Sequence, residues 1–203
     1  MAQRSGNINH PKKGAAIKVH PIRSIQHIEA IKSALKDQPR NYCLFVMGIN
    51  TAFRANELLS LRIMQVEDLH VGSRLEVKQS KTGKYRAVTM NNNSVAAIQH
   101  WLQNHPLRSE PKAAFFKSHK SRNAIRVSTL NNLVKRWCRE AGIQENTGSH
   151  TLRKTWGYHQ RTRGKASVPL LMIAFGHNSQ QQTLDYLCIQ ADEVQALYLE
   201  LEL

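Results

Sequence analysis

A helix through residues 42–47, Tyr42-Cys43-Leu44-Phe45-Val46-Met47, would be apolar nearly all round. Such a helix has no face to offer water, so it is central and other elements must wrap it. The rest of the chain carries stripes suited to that task. Ser24 is an N-cap candidate for a helix with Ile25, Ile28, Ile31 and Leu35 on one side. Pro39 ends that helix and suits the first turn of the central one, where a missing N–H costs nothing. Asn93 is placed to cap a helix through Val95, Ile98, Trp101 and Leu102 that stops before Pro106. Ser128 or Thr129 starts another, with Leu130, Leu133, Val134 and Trp137 facing inward, ending near Gly142. Ser149 caps a further helix in which Leu152 and Trp156 form the buried stripe, and residues 168–173 predict a short buried helix. Residues 191–203 predict an amphipathic tail helix with Val194, Leu197, Tyr198 and Leu201 on one stripe.

Two runs have the other period. Leu75-Glu76-Val77-Lys78-Gln79 alternates as a strand does, and Tyr85-Arg86-Ala87-Val88-Thr89-Met90 is rich in β-formers. Between them Ser80-Lys81-Thr82-Gly83-Lys84 reads as a turn, with Gly83 free to take positive φ. The predicted class is therefore α+β and mainly α: a helical domain with one small antiparallel β-hairpin. The chain shows no internal repeat and no low-complexity tract.

Charge narrows the function. The 203 residues carry a formal net charge of +15. On a domain with an ordinary 41% hydrophobic content, that balance points to a polyanion, first of all nucleic acid. No apolar run is long enough to span a bilayer, and no signal peptide opens the sequence. Cys43, Cys138 and Cys188 are odd in number and widely spaced, which fits neither a disulfide framework nor a zinc site and suggests a reducing, cytoplasmic setting. Residues 70–140 hold fourteen Lys or Arg against three acids, whereas from Asp185 onward there are acids and no Lys or Arg. A basic body with an acidic, apolar tail suggests different partners for the two parts. Residues 1–23, with Lys12 and Lys13 among their cations, read as a basic arm.

Several polar groups stand where helices begin or end. Arg54 and Glu57 are three apart and share a helix face. They form either a surface ion pair of little worth or a carboxylate holding an arginine aimed into a site. His150 and Arg153 share a face in the first turns after Ser149, near a helix N-terminus that attracts anions. Gly176 can end one helix in the left-handed conformation, and Asn178 or Ser179 can cap the next. That places His177 in a tight break and Tyr186 on the helix that follows, nine residues later.

Taken together and in order, Arg54, Lys81, His150, Arg153, His177 and Tyr186 resemble the signature of the tyrosine recombinase, or phage integrase, family. The arginine lies in Thr51-Ala52-Phe53-Arg54-Ala55-Asn56-Glu57-Leu58, where Ala52 stands in place of the family's usual glycine. Ser80-Lys81-Thr82-Gly83 is a common integrase form of the lysine hairpin, and His150-Thr151-Leu152-Arg153 and Gly176-His177 match fully. The resemblance covers residues 24–190. It implies the DNA breaking-rejoining fold, with 1–23 as a basic arm, 24–190 as the catalytic domain and 191–203 as a tail.

The resemblance also implies roles. Arg54 and Arg153 would grip the non-bridging oxygens of a phosphodiester, because without a metal the enzyme must supply the positive charge itself. Tyr186 would be the nucleophile. A phenol, with a pKa near 10, needs a proton acceptor, and His150 is the candidate. Lys81 would be the acid that protonates the leaving 5′ oxygen, with Lys84 as the alternative, and His177 would donate a hydrogen bond to the phosphate. Glu57 would support Arg54. Lys12, Lys13, Lys84 and Arg86 are candidate DNA contacts. A 3′-phosphotyrosine intermediate conserves the bond energy, so no energy cofactor and no metal is expected.

The implied partner is double-stranded DNA, in the nucleoid of a cytoplasm. The family's tail segment packs onto a neighbouring subunit, which implies a dimer or tetramer on DNA, together with accessory DNA-bending or excision factors; the alternative for the free protein is a tail packed on its own body. About fifty residues precede Arg54, too few for the helical core-binding domain that full-length integrases usually carry. The layout is similar to that of the fimbrial-type invertases, or to a domain excised from a longer integrase. The competing functions are a type IB-like topoisomerase and a non-catalytic DNA-binding regulator derived from a recombinase.

Overall fold

A computed structural model of the chain describes residues 19–78, 83, 85–189 and 191–200, apart from the side chain of Asp192. In chain order these form α1 (Ile25–Ala34), α2 (Pro39–Asn50), α3 (Ala55–Leu59), β1 (Arg74–Lys78), β2 (Tyr85–Thr89), α4 (Asn92–Gln103), α5 (Val127–Glu140), α6 (Ser149–Thr162), α7 (Val168–Phe175), α8 (Gln180–Leu187) and α9 (Ala191–Leu199). The two strands pair antiparallel, with Val77 opposite Arg86 and Lys78 opposite Tyr85. Among the described residues the expected mainly helical domain with one antiparallel strand pair is what forms.

α2 is the central helix. Cys43, Leu44, Phe45, Val46 and Met47 are each at most 1% exposed, and α4 and α6 pack against it. Pro39 occupies its first turn. The approach of α6 depends on Gly48: a Cβ there would lie 2.5 Å from Leu152 Cδ1. Around α2 runs one large apolar core that takes in α1, α4, α5 and the inner face of the hairpin. A second, smaller cluster joins Ala52, Leu171, Phe175 and Leu187, with Trp156 and Tyr186 packed on it. α6 touches both, through Leu152 to the first and Trp156 to the second. It thus holds His150 and Arg153 in place from two sides.

Several boundaries differ from the sequence expectations. Ile25 is 37% exposed and stands off the stripe, which Ile28, Ile31 and Leu35 make on their own. The cap of α4 is Asn91, whose side chain accepts from Ser94 N–H, not Asn93. α5 starts one residue before Ser128. The N-cap of α6 is Gly148, and Ser149 is its first helical residue. Here the cap is tertiary. Asn131 Oδ1, from α5, accepts Ser149 N–H at 3.1 Å, and a Cβ on Gly148 would stand 2.5 Å from that oxygen. α7 is buried on one side only. Leu171 and Phe175 are inside, while Leu170 and Ile173 are 63% and 74% exposed. The tail stripe of α9 is likewise open, with Val194, Leu197 and Tyr198 exposed. Leu201 lies outside the described residues. An ion pair between Arg161 and Glu193 ties the start of α9 to α6.

Gly157 on α6 lets α7 close onto it: a Cβ there would lie 2.3 Å from Phe175 Cζ. Gly157→Ala should cost about 1–3 kcal/mol through overpacking, read as a lower Tm in thermal denaturation. An unchanged Tm would mean that Phe175 is not wedged against α6.

Candidate active site

The first arginine sits at the N-cap of α3. Glu57, one turn on, accepts the Arg54 backbone N–H at 2.7 Å through one carboxylate oxygen and the guanidinium at 2.8 Å through the other. Glu57 is 4% exposed, so this is not the surface ion pair of the blander expectation. Arg54 stays partly exposed and reaches across to donate to the Gly176 carbonyl at 3.3 Å.

Arg153 is the largest fully buried side chain among the described residues, at 1% exposure. Its two terminal nitrogens donate to the carbonyls of Ala52 and Phe175. Its guanidinium lies 4.9 Å from the Phe175 ring centroid and 5.7 Å from that of Tyr186. Arg54 and Arg153 thus hold the adjacent carbonyls of Gly176 and Phe175 at the end of α7, which brings both guanidiniums to one place. Burial, with Arg86 and Arg54 close by, pushes the Arg153 pKa down to about 9, which leaves it charged at neutral pH.

Gly176 takes the left-handed conformation (φ 60°) that ends α7, and Ser179 caps α8 by accepting from Gln182 N–H. The break turns His177 inward, where it stacks on Phe175 at 4.9 Å. Its Nδ1 lies 3.1 Å from Thr183 Oγ1. The one proton of the Thr183 hydroxyl has two acceptors within reach, His177 Nδ1 and the Ser179 carbonyl at 3.4 Å; donation to Nδ1 leaves the His177 proton on Nε2. Loss of hydration, followed by the charges of Arg153, Arg54 and Arg86, pushes the His177 pKa down to about 4. Thr183→Val should remove this tautomer lock and slow the chemistry of the site about 5-fold, the worth of one hydrogen bond, with little change in Tm. A rate equal to wild type would leave the 3.1 Å contact without a role.

Tyr186 projects from α8 so that its hydroxyl lies 2.5 Å from His150 Nδ1. His150 keeps an exposed edge. Loss of hydration on its packed side, then the charges of Arg153, Lys154 and Arg54, hold its pKa below the ordinary value. The imidazole is therefore neutral at pH 7 and able to accept the phenol proton. Burial raises the Tyr186 pKa, while Arg153 and Arg54 pull it back. Protonated phenol, neutral base and two cations are the components that a phosphoryl-transfer site without a metal needs.

Of the residues singled out from the sequence, Arg54, Glu57, His150, Arg153, His177 and Tyr186 come together. Lys12, Lys13, Lys81 and Lys84 lie outside the described residues. Arg86 does not fit the expected DNA contact. It is 8% exposed and faces inward, with its terminal nitrogens on Ala52 O, Glu57 Oε2 and Thr51 O. The signal was present in the strand: Arg86 is in phase with Val88 and opposite Val77, so it points to the core face. Lys154 was missed too. It lies four residues after His150 on the same helix face, with its ammonium 5.2 Å from the Tyr186 ring centroid and 3.4 Å from Cys188 Sγ. Ala52 has φ 52°, a left-handed conformation that costs an L-residue roughly 1–2 kcal/mol and that a glycine takes without strain. Among the described residues no group of three His, Cys, Asp or Glu is placed to hold a metal ion, and no helix is long and apolar enough to cross a membrane.

Residues 22–193 match the model of the phage integrase family. The chain belongs to that family. This integrase-family chain is 31% identical over 183 residues to the probable integrase/recombinase YoeC of Bacillus subtilis (strain 168), covering 89% of its own length and 95% of that relative. It is 25% identical over 174 residues to the tyrosine recombinase XerC of Caldanaerobacter subterraneus subsp. tengcongensis, but spans only 47% of that protein. Among solved structures, XerA recombinase superposes with a TM-score of 0.73 over 89% of this chain and 65% of its own, at 23% identity. XerH recombinase bound to its palindromic difH substrate gives 0.70 over 89% of this chain and 53% of its own. The fold is that of tyrosine recombinase catalytic domains.

Proposed function

We propose that this chain is a site-specific DNA recombinase that cleaves and rejoins strands through a covalent 3′-phosphotyrosine. The observation that carries the reading is the Tyr186 hydroxyl seated on His150 Nδ1 at 2.5 Å, beside two guanidiniums anchored to adjacent carbonyls. The Tyr186 oxygen attacks phosphorus as its proton passes to His150, and the bond from phosphorus to the 5′ oxygen breaks. Lys81 gives that oxygen its proton. Arg54 and Arg153 take up the charge that builds on the non-bridging oxygens, with His177 as a further donor. Attack by a second 5′ hydroxyl reverses the step.

DNA as substrate is supported by the net charge of +15 and by the solved complex of XerH with difH. Residues 1–23 are assigned as a basic arm that adds DNA affinity. The open apolar side of α9, with Leu197 and Tyr198 at 71% and 80% exposure, suits docking on a second copy while on DNA.

A nicked suicide duplex carrying the target site tests the proposal. It should trap the protein in an SDS-resistant adduct. A protein that shifts the duplex in a gel without an adduct would be a binder, and one that relaxes supercoiled plasmid without recombinants a topoisomerase. The rate of adduct formation should also fall on acidification. His150 accepts the proton only when neutral, and its pKa lies below the ordinary value, so the acid limb should fall below about pH 6.5. A limb at or above pH 7 would assign the base elsewhere.

A further inference from the structure

Two guanidiniums, those of Arg54 and Arg86, pair with one buried carboxylate, that of Glu57, and the guanidinium of Arg153 lies close enough to feel its charge without touching it. Glu57 gives its two oxygens to three donors: Arg54 N–H at 2.7 Å, the Arg54 guanidinium at 2.8 Å and Arg86 at 3.0 Å. A buried carboxylate paired with Arg54 alone would cancel most of the charge that Arg54 brings to an anion. A second cation on the same carboxylate restores it. Replacing a buried ion pair by apolar side chains is often neutral or stabilising, so stability alone is a weak reason to hold Arg86 here.

Arg86 also joins separate segments. From β2 it donates to Ala52 O at 2.8 Å and Thr51 O at 3.2 Å, and its guanidinium lies over the Phe53 ring at 5.5 Å. The Ala52 carbonyl it holds is the one Arg153 also holds, and Ala52 is the residue in the left-handed conformation. The hairpin strand and the turn before Arg54 therefore meet on this one guanidinium, and α6 joins them through Arg153 at the shared Ala52 carbonyl.

We propose that Arg86 is a positioning residue of the phosphate pocket: it neutralises Glu57 and braces the Ala52 carbonyl, so that the charge of Arg54 and Arg153 is left for the anion. This rests on reading the pocket as a phosphodiester site. Inorganic phosphate is the probe, titrated against the full chain and followed by ³¹P NMR, with circular dichroism to check folding. Arg86→Met removes one positive charge and leaves Glu57 paired with Arg54 alone, so phosphate affinity should fall about 10-fold in this low-dielectric site. The double variant Arg86→Met with Glu57→Gln removes one charge of each sign and should return to within about 3-fold of wild type.

The inference is overturned if Arg86→Met binds phosphate like wild type, or if the double variant is as weak as the single one or does not fold. It is overturned equally if the wild type shows no saturable phosphate binding. Should Arg86→Met alone fail to fold, recovery in the double variant supports the electrostatic role, because Ala52 is unbraced in both. The suicide-duplex adduct is scored separately. A wild type that binds phosphate but forms no adduct removes the recombinase reading and leaves the assignment of Arg86 standing.

Discussion

Tyr186→Phe should bind DNA as the wild type does and form no SDS-resistant adduct. The substitution removes one oxygen and nothing else. The ring keeps its contacts with Phe175 and His177 at 5.4 Å and 5.0 Å and stays under the guanidinium of Arg153, so α8 has no reason to leave its seat. What is lost is the atom that lies on His150 Nδ1. Without a nucleophile the covalent step has no pathway, and adduct formation should fall below detection, a loss of about 10⁴-fold or more. Gel-shift affinity serves as the control. Adduct in the phenylalanine variant would transfer the nucleophile to another side chain and dissolve the roles given to His150 and Arg153 with it.

Arg153 is expected to produce the next largest effect, and to do so in two ways. The sequence alone leads one to expect an active-site arginine whose loss costs only activity. In the structure it is also a brace, buried at 1% exposure and holding the carbonyls of Ala52 and Phe175. Arg153→Ala leaves both carbonyls and a cavity behind, so it should lower stability by about 2–4 kcal/mol as well as removing cleavage. Arg153→Lys separates the two effects. It keeps the charge but cannot serve two carbonyls and an anion from one fork. The lysine variant should fold, with a Tm between those of wild type and Arg153→Ala, and cleave about 10²–10³-fold more slowly than wild type, in the range of a lost preorganised donor. Single-turnover rates on the suicide duplex measure it. A lysine variant that cleaves at the wild-type rate would show that only the charge matters, and that the fork geometry around Ala52 and Phe175 does not.

Much of this candidate site is legible in the sequence, because its parts lie at helix ends, where local chemistry is strongest. Gly176 and Ser179 mark the break that carries His177, and both serve as expected. His150 and Arg153 share a helix face by spacing alone, and the same spacing includes Lys154. Arg86 was misjudged because a cation in a short exposed hairpin is usually a solvated one. Its phase with Val88 pointed inward, but nothing local supplied the carboxylate that makes burial tolerable. That carboxylate comes from Glu57, 29 residues away.

By itself, the order of residues determined most of the elements and which helix ends carry Arg54, His150, Arg153, His177 and Tyr186. Apolar periodicity, caps and a left-handed glycine act over a few positions, and a helix apolar all round must be central wherever it occurs. Tertiary structure decided that Arg86 and Arg153 are buried on carbonyls while Arg54 stays partly exposed, why Gly148 and not Ser149 opens α6, and that α7 and α9 keep an open apolar side. Each of those depends on a partner far along the chain: Asn131 for Gly148, Glu57 for Arg86, and the paired carbonyls of Ala52 and Phe175 for Arg153. Burial and charge pairing are properties of that enclosure, which exists only once α6, the hairpin and the arginine turn have closed on one another.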